Sequence, residues 1–398
     1  MSKYDTIVVG GGVAGLVAGI ALLERGQRVA LCSSGRSCLN YFSGSFDLYA
    51  EGLEGIERLL LQEGSMHPYA KVGTERIVRY SQRIKDIFAS AGVPLRGSAE
   101  KNEYRLTPLG VFKPSWLTLE GFVTFEELEA LACESVCVVG VDGYLDFNPE
   151  FVARGFRRRG IKCACHSVSL SDARKSALCP IGKALAEELA RAIVAEVGDG
   201  DLVLLPAIFD MYNREAYDAL VGVVGKRVRL VPTVSASLAG ESVQRALKGR
   251  FVALGGELFE NERVVAVDVA EDVATSIYTS SGVTLGADNF VFATGGFFGG
   301  GIVGSPERVY EQLANLDVVA AANRVDWTSE KLFSAQPFEK FGVVADDGLH
   351  PSKEGVVIRN LYAVGALLAG ADGVGEGSGG GIALCSALLA VEEIVKER

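Results

Sequence analysis

The stretch Val8-Val9-Gly10-Gly11-Gly12-Val13-Ala14-Gly15 constrains this chain more than any other. Residues 4–9 read as a short buried strand that runs straight into glycines. From Val13 to Arg25, apolar residues at 13, 16, 17, 20, 22 and 23 recur at helical spacing; Gly26 closes that helix, and 27–32 reads as a second strand. Strand, turn, helix and strand within about thirty residues make a βαβ unit, which implies a parallel sheet. In such a GxGxxG turn Gly10 permits the tight bend, Gly12 lets backbone approach a phosphate, and Gly15 lets the helix pack on the sheet. The helix start adds unpaired N–H groups and the positive end of its dipole. Gly10, Gly12, Val13, Ala14 and Gly15 are therefore candidate nucleotide contacts; the alternative is a purely structural glycine turn.

One customary part is missing. An acidic residue near the end of the second strand, roughly 20 residues after the glycines, usually binds an adenosine ribose. Here that position falls at Ser33 or Ser34. A serine makes one bond where a carboxylate makes two, so the adenosine half of the site is weakened or absent. The nucleotide's presence stands; its identity stays open.

Two further glycine elements lie far downstream. Residues 289–293 read as a strand leading into Thr294-Gly295-Gly296, and 361–364 as a strand leading to Gly365. Gly370-Ala371-Asp372-Gly373-Val374-Gly375 and Gly379-Gly380-Gly381-Ile382 follow, and a helix begins at about Gly380. Such a helix start can stabilise negative charge on a bound ring system. Of 398 residues 48 are glycine, clustered at 10–15, 295–304 and 370–381, against about 7% in average proteins. Clustered glycine means tight turns and close approach of backbone to something else.

A chain of this length suggests two domains, or one with a large insertion. Regular patterns occupy 1–95 and 231–398, whereas the periodicity of 96–230 keeps changing, as in an inserted α+β domain. The fold expected is α/β, a Rossmann-like nucleotide-binding domain with a parallel sheet and that insert. With 50 acidic against 39 basic residues the formal charge is −11, and no basic stretch exceeds Arg157–Arg159, so nucleic acid is excluded as a partner. No segment approaches the ~18 apolar residues of a membrane span, and the N-terminus carries no signal-peptide pattern. The chain by itself reads as soluble and cytoplasmic. Its eight cysteines, at 32, 38, 133, 137, 163, 165, 179 and 385, lack the knuckle turns of a metal site and read as thiols in a reducing compartment, with no metal expected.

The three glycine elements in this order resemble the two-dinucleotide flavoproteins that include succinate dehydrogenase and fumarate reductase flavoprotein subunits. Phe42-Ser43-Gly44-Ser45-Phe46-Asp47-Leu48, His67-Pro68-Tyr69, Leu106-Thr107-Pro108-Leu109-Gly110, Val138-Val139-Gly140-Val141 with Asp146-Phe147, Gln336-Pro337-Phe338 and Phe341-Gly342-Val343 narrow this. Across nearly the whole chain they resemble the B subunit of anaerobic glycerol-3-phosphate dehydrogenase. The resemblance implies one flavin, usually described as FMN, whereas a GxGxxG turn is built for the pyrophosphate of FAD. It implies two partners: a larger, FAD-containing A subunit, and an iron–sulfur C subunit that ties the complex to the inner face of the cell membrane. It also implies an enzyme active as part of that complex, oxidising glycerol 3-phosphate to dihydroxyacetone phosphate and passing electrons to quinone. Thr294, Gly295, Gly365, Gly379, Gly380, Gly381 and Ile382 then join the flavin contacts, with Ser33 and Ser34 at the ribose position. Ser43, Gly44 and Ser45 lie where related flavoproteins pass a loop across the flavin ring. His67 is the candidate base. The rival readings are a stand-alone reductase of the fumarate reductase type and a non-catalytic assembly subunit.

Overall fold

The computed structural model describes residues 3–35, 37–62, 64–128, 133–171, 179–197, 202–225, 227–234 and 236–396. The chain divides into two compact units: Met1–Cys38 with Asp47–Ala91 and Leu247–Arg398, and Leu39–Phe46 with Gly92–Ala246.

The first unit opens with β1 (Lys3–Val9), α1 (Val13–Leu23) and β2 (Val29–Ser33). It continues through β3 (Glu257–Glu260), β4 (Val264–Ala270), β5 (Val273–Thr279), β6 (Thr284–Phe292), β7 (Leu361–Ala363) and α2 (Gly379–Lys396). The sheet runs β3-β2-β1-β6-β5-β4, with β7 beside the last three residues of β6. β1, β2, β3, β6 and β7 are mutually parallel, while β4 and β5 turn back as an antiparallel meander. Every residue of β2 and the last three of β6 are buried, as befits parallel strands covered on both faces. β4 instead alternates, with one face toward water. Gly10, Ser33, Thr294 and Gly365 consequently fall at the carboxyl-terminal edge of the parallel strands, where open α/β sheets bind ligands.

In the second unit four parallel strands stand in the order Lys162–Val168, Ser135–Val141, Leu202–Pro206, Val228–Val231. Two small antiparallel sheets accompany them, one built on Leu117–Leu119 and the other on Glu103–Leu106. The insert's larger sheet is therefore parallel, and the α+β pattern holds for its smaller sheets. A short crossover, the helix Pro149–Arg157, masks the βαβ signature in the sequence. Residues 39–46 and 231–246 also belong to this unit. The reason is local packing: Ser45–Phe46 pairs with Leu117–Thr118, and Ser237 N–H donates to Asn40 O at 2.6 Å.

No helix among the described residues is long and apolar enough to cross a membrane. The eight cysteines are all free.

Phe251, fully buried, fills space that two glycines leave open: a Cβ on Gly19 or Gly256 would come within 2.7 or 2.4 Å of its ring. Truncation should leave a cavity between α1 and the start of β3. Phe251→Ala is expected to lose about 3–5 kcal/mol of unfolding free energy in urea. A loss below about 1 kcal/mol would show that the surroundings collapse onto the gap.

Candidate functional site

Gly10 has a φ of 119°, a backbone conformation closed to L side chains. A Cβ there would sit 2.2 Å from Ala293 O, because Ala293 N–H donates to Val9 O at 2.8 Å and draws the end of β6 against β1. A Cβ on Gly15 would sit 2.0 Å from Gly10 O. These two glycines serve the fold itself. Gly12 differs: the nearest atom to a Cβ there is Ser37 Cβ at 3.9 Å. It is the N-cap of α1, no side chain caps the helix, and the first capping-turn bond runs from Leu16 N–H to Gly12 O at 3.0 Å. Val13 and Ala14 thus present the open donor end of α1 beside a glycine that faces space, the geometry that accepts a phosphate.

At the end of β2, Ser33 is buried and its hydroxyl donates to Gly35 O at 3.4 Å; Ser34 is exposed. A carboxylate does stand here, supplied by another strand. Glu262, just after β3, donates its N–H to Ser33 O at 3.1 Å, and its Oε2 is enclosed with no hydrogen-bond partner among the described residues. Burial, and after it the Glu262 charge, push the Cys32 thiol up to about 12. No strand pattern marks Glu262, which is why sequence reasoning missed it.

Thr294 follows β6, next to Gly10, and its Oγ1 is likewise buried without a partner among the described residues. Gly295 turns the chain, and its carbonyl lies 2.0 Å from where a Cβ on Gly301 would be, so the glycine loop folds tightly on itself. After β7, Gly365 N–H donates to Ser386 Oγ at 2.8 Å, and that hydroxyl donates to Ile382 O at 2.6 Å. A Cβ on Gly365 would stand 3.4 Å from Ala14 Cβ, which sets Gly365 between α1 and α2. The structure thereby brings Gly10–Gly15, Thr294, Gly295, Gly365 and Ile382 together.

The start of α2 is less open than the sequence implies. Gly379 N–H donates to Gly373 O at 3.3 Å, and Gly381 N–H to Asp47 O at 2.8 Å. Gly381 owes its lack of a side chain to Tyr69, whose hydroxyl oxygen lies 2.1 Å from where a Cβ would be. Gly380 N–H alone of the three glycines has no acceptor among the described residues.

His67 is 2% exposed and works as a helix cap. Its Nδ1 accepts the Tyr69 N–H at 3.1 Å, so Nε2 carries the proton and faces Glu376 Oε2 at 3.1 Å. Both ring nitrogens are engaged within the chain, by a backbone N–H and by a carboxylate. Glu376 also meets Ser378 Oγ at 3.3 Å and Lys340 Nζ at 3.6 Å. Burial raises its carboxyl, yet the hydrogen bond from His67, helped by Lys340, holds it below the usual range.

Ser43, Gly44 and Ser45 belong to the second unit. Ser45 Oγ bonds Thr118 Oγ1 at 2.8 Å, Ser43 Oγ reaches Ser45 O at 3.4 Å, and a Cβ on Gly44 would strike the Phe122 ring at 2.4 Å. Their groups hold that unit's own small sheet. Of the remaining histidines, His350 lies against Tyr362 with ring centres 4.5 Å apart, and His166 sits in the strand Lys162–Val168.

A family described as FAD binding domain matches residues 5–382. The B subunit of anaerobic glycerol-3-phosphate dehydrogenase from Yersinia pestis bv. Antiqua (strain Antiqua) is 33% identical over 422 residues, covering 99% of both chains. The protein of that name from Yersinia enterocolitica is 34% identical over 421 residues, covering 99% of this chain and 98% of its own. That from Actinobacillus pleuropneumoniae is 31% identical over 425 residues, covering 98% and 99%. A fold with parallel strands, an uncapped glycine turn and two orphaned polar groups at one sheet edge fits a bound flavin nucleotide, and the chain belongs to the FAD-binding flavoprotein oxidoreductases, in the family of the anaerobic glycerol-3-phosphate dehydrogenase B subunit.

Proposed function

We propose that this chain is the flavin-carrying member of a quinone-linked anaerobic glycerol-3-phosphate dehydrogenase, at work in a complex with a larger FAD-containing partner and a membrane-tethering iron–sulfur partner. The names of the relatives support the substrate and the assembly. The observation that carries the flavin is the glycine turn. Gly10 and Gly15 are forced by backbone contact, while Gly12 faces open space above an uncapped helix start.

Each group has a role in this reading. Val13 and Ala14 N–H groups and the α1 dipole take the phosphate charge. Glu262 takes a ribose hydroxyl, replacing the acid that β2 lacks, which favours FAD over the FMN of the resemblance. Thr294 Oγ1 and Gly380 N–H offer hydrogen bonds to the ring system. A flavin supplies the ability to accept two electrons together and release them singly, which links a carbinol to iron–sulfur centres. The base that removes the carbinol proton is not His67, whose nitrogens cap a helix and meet Glu376. The larger FAD-containing partner is the source of that base, and this chain then passes electrons on.

Three outcomes are expected. Gly12→Val should fold with the urea midpoint of the flavin-stripped parent, since its Cβ meets nothing within 3.4 Å, yet purify without the flavin absorbance of the parent. Full flavin content in a folded Gly12→Val protein would remove the turn from the site. Chromatography of flavin released from the parent should give one equivalent of FAD, and Glu262→Gln should lower the FAD-to-FMN affinity ratio by roughly five- to tenfold. Release of FMN alone refutes the dinucleotide. Mixed anaerobically with glycerol 3-phosphate, the isolated chain should keep its oxidised spectrum until the larger FAD-containing partner is added. Prompt bleaching without that partner would mean that this chain holds a complete oxidation site.

A further inference from the structure

In the second unit, the helix Pro149–Arg157 and the arginine run that ends it have no part in the function proposed above. The helix buries Val152, Ala153 and Phe156 against the strands Ser135–Val141 and Lys162–Val168. Phe151, Arg154 and Arg158 are exposed and stand three and four positions apart, so they share the outer face. Beside that face lies the turn Thr107–Val111, closed by Thr107 N–H to Val111 O at 2.9 Å. A Cβ on Gly110 would lie 2.1 Å from Phe151 O, and one on Gly155 would lie 2.1 Å from Gly110 O. Two glycines thus let the turn rest on the helix backbone, which brings Leu109 and Val111 beside Phe151. These three side chains are 61%, 50% and 43% exposed. Apolar residues scattered singly over a surface mean little, but three gathered by a backbone contact form a patch.

Charge surrounds this patch. From Pro149 to Arg159 the chain carries four arginines and one carboxylate, Glu150, which Arg157 holds at 2.6 Å. Arg154 lies over the Phe151 ring, 6.0 Å from its centre, and Arg159 over the Phe112 ring at 4.7 Å. Phe112 follows directly on the turn and packs edge-on against Phe156 of the helix, with centres 5.4 Å apart. Arg159 also donates to Leu128 O at 3.2 Å, a bond that leaves its charge unanswered. Arg154 and Arg158 meet no carboxylate among the described residues. The chain as a whole carries a formal charge of −11, so this cluster runs against its net charge.

The complement of such a face is a negatively charged surface with an apolar layer beneath it. An acidic protein would answer guanidinium groups one by one with carboxylates; here long, unanchored side chains ring three apolar ones. That arrangement suits headgroups above acyl chains, because an arginine stem lies along apolar surface while its head stays at the phosphates. We propose that Leu109, Val111, Phe151, Arg154, Arg158 and Arg159 form a docking face for an anionic phospholipid surface. The three apolar side chains enter the headgroup layer and the guanidinium groups meet lipid phosphates. This contact belongs to the chain itself and needs neither flavin nor partner subunit, so it stands apart from the function proposed above.

Sedimentation of the full chain with lipid vesicles tests the face. Vesicles of equimolar phosphatidylglycerol and phosphatidylcholine should carry the chain down at about 0.1 M salt and release it at about 1 M. Vesicles of phosphatidylcholine alone should not. Arg158→Gln should partition roughly fivefold less, by the loss of one cation at the lipid surface. Leu109→Ser, on the exposed turn, should also partition roughly fivefold less, by the loss of one inserted side chain. Both variants should keep the parental urea midpoint and flavin content. Lys331→Gln removes an exposed cation from the first unit and should partition as the parent does. Failure to bind anionic vesicles, equal binding to neutral ones, or a loss in Lys331→Gln as large as in Arg158→Gln overturns the proposal. A chain that binds anionic vesicles but carries no flavin upholds this face and refutes the function; flavin without vesicle binding does the reverse.

Discussion

The ends of β1 and β6 approach so closely that no side-chain atom fits between them. One backbone hydrogen bond, Ala293 N–H to Val9 O at 2.8 Å, sets this approach, and Gly10 tolerates it only by having no Cβ and a positive φ. From that contact the rest of the first unit follows. β6 lies in register beside β1, β7 pairs with the last residues of β6, and α1 starts where its donors face outward. Thr294 is delivered next to the turn by the same register, although it lies 284 positions from Gly10 in sequence.

The groups left unsatisfied at this edge share a character. Thr294 Oγ1 and Glu262 Oε2 are enclosed without partners among the described residues, and an enclosed polar atom of this kind costs about 1–3 kcal/mol. Their placement at the carboxyl ends of parallel strands joins them to the uncapped α1 start, and a nucleotide offers each a partner.

Much of this was legible in the sequence, for physical reasons. Continuous apolar runs, such as that of β2, and glycine at fixed offsets reveal buried parallel strands and the turns between them. Short elements were harder. Ser45–Phe46 has only two residues, so nothing local shows that it pairs with Leu117–Thr118 and carries Ser43–Ser45 into the second unit. His67 stood out as one of three histidines, but the groups its ring meets are a backbone N–H two residues on and Glu376, 309 positions away, which no local pattern shows. Glu262 was invisible because an orphaned atom is a property of surroundings, not of residue type.

The start of α2 carries a consequence for how this chain can vary. Gly381 is pinned by the Tyr69 hydroxyl, 2.1 Å from its missing Cβ, and by Asp47, which accepts its N–H. Tyr69 in turn donates to Leu48 O, so one phenol ties the helix start to the segment beside it. Any side chain at 381 demands that this phenol leave, and its departure frees Leu48 O. Positions 69 and 381 are therefore one inherited choice: lineages that drift at either should drift at both, with a smaller residue at 69 wherever 381 has ceased to be glycine.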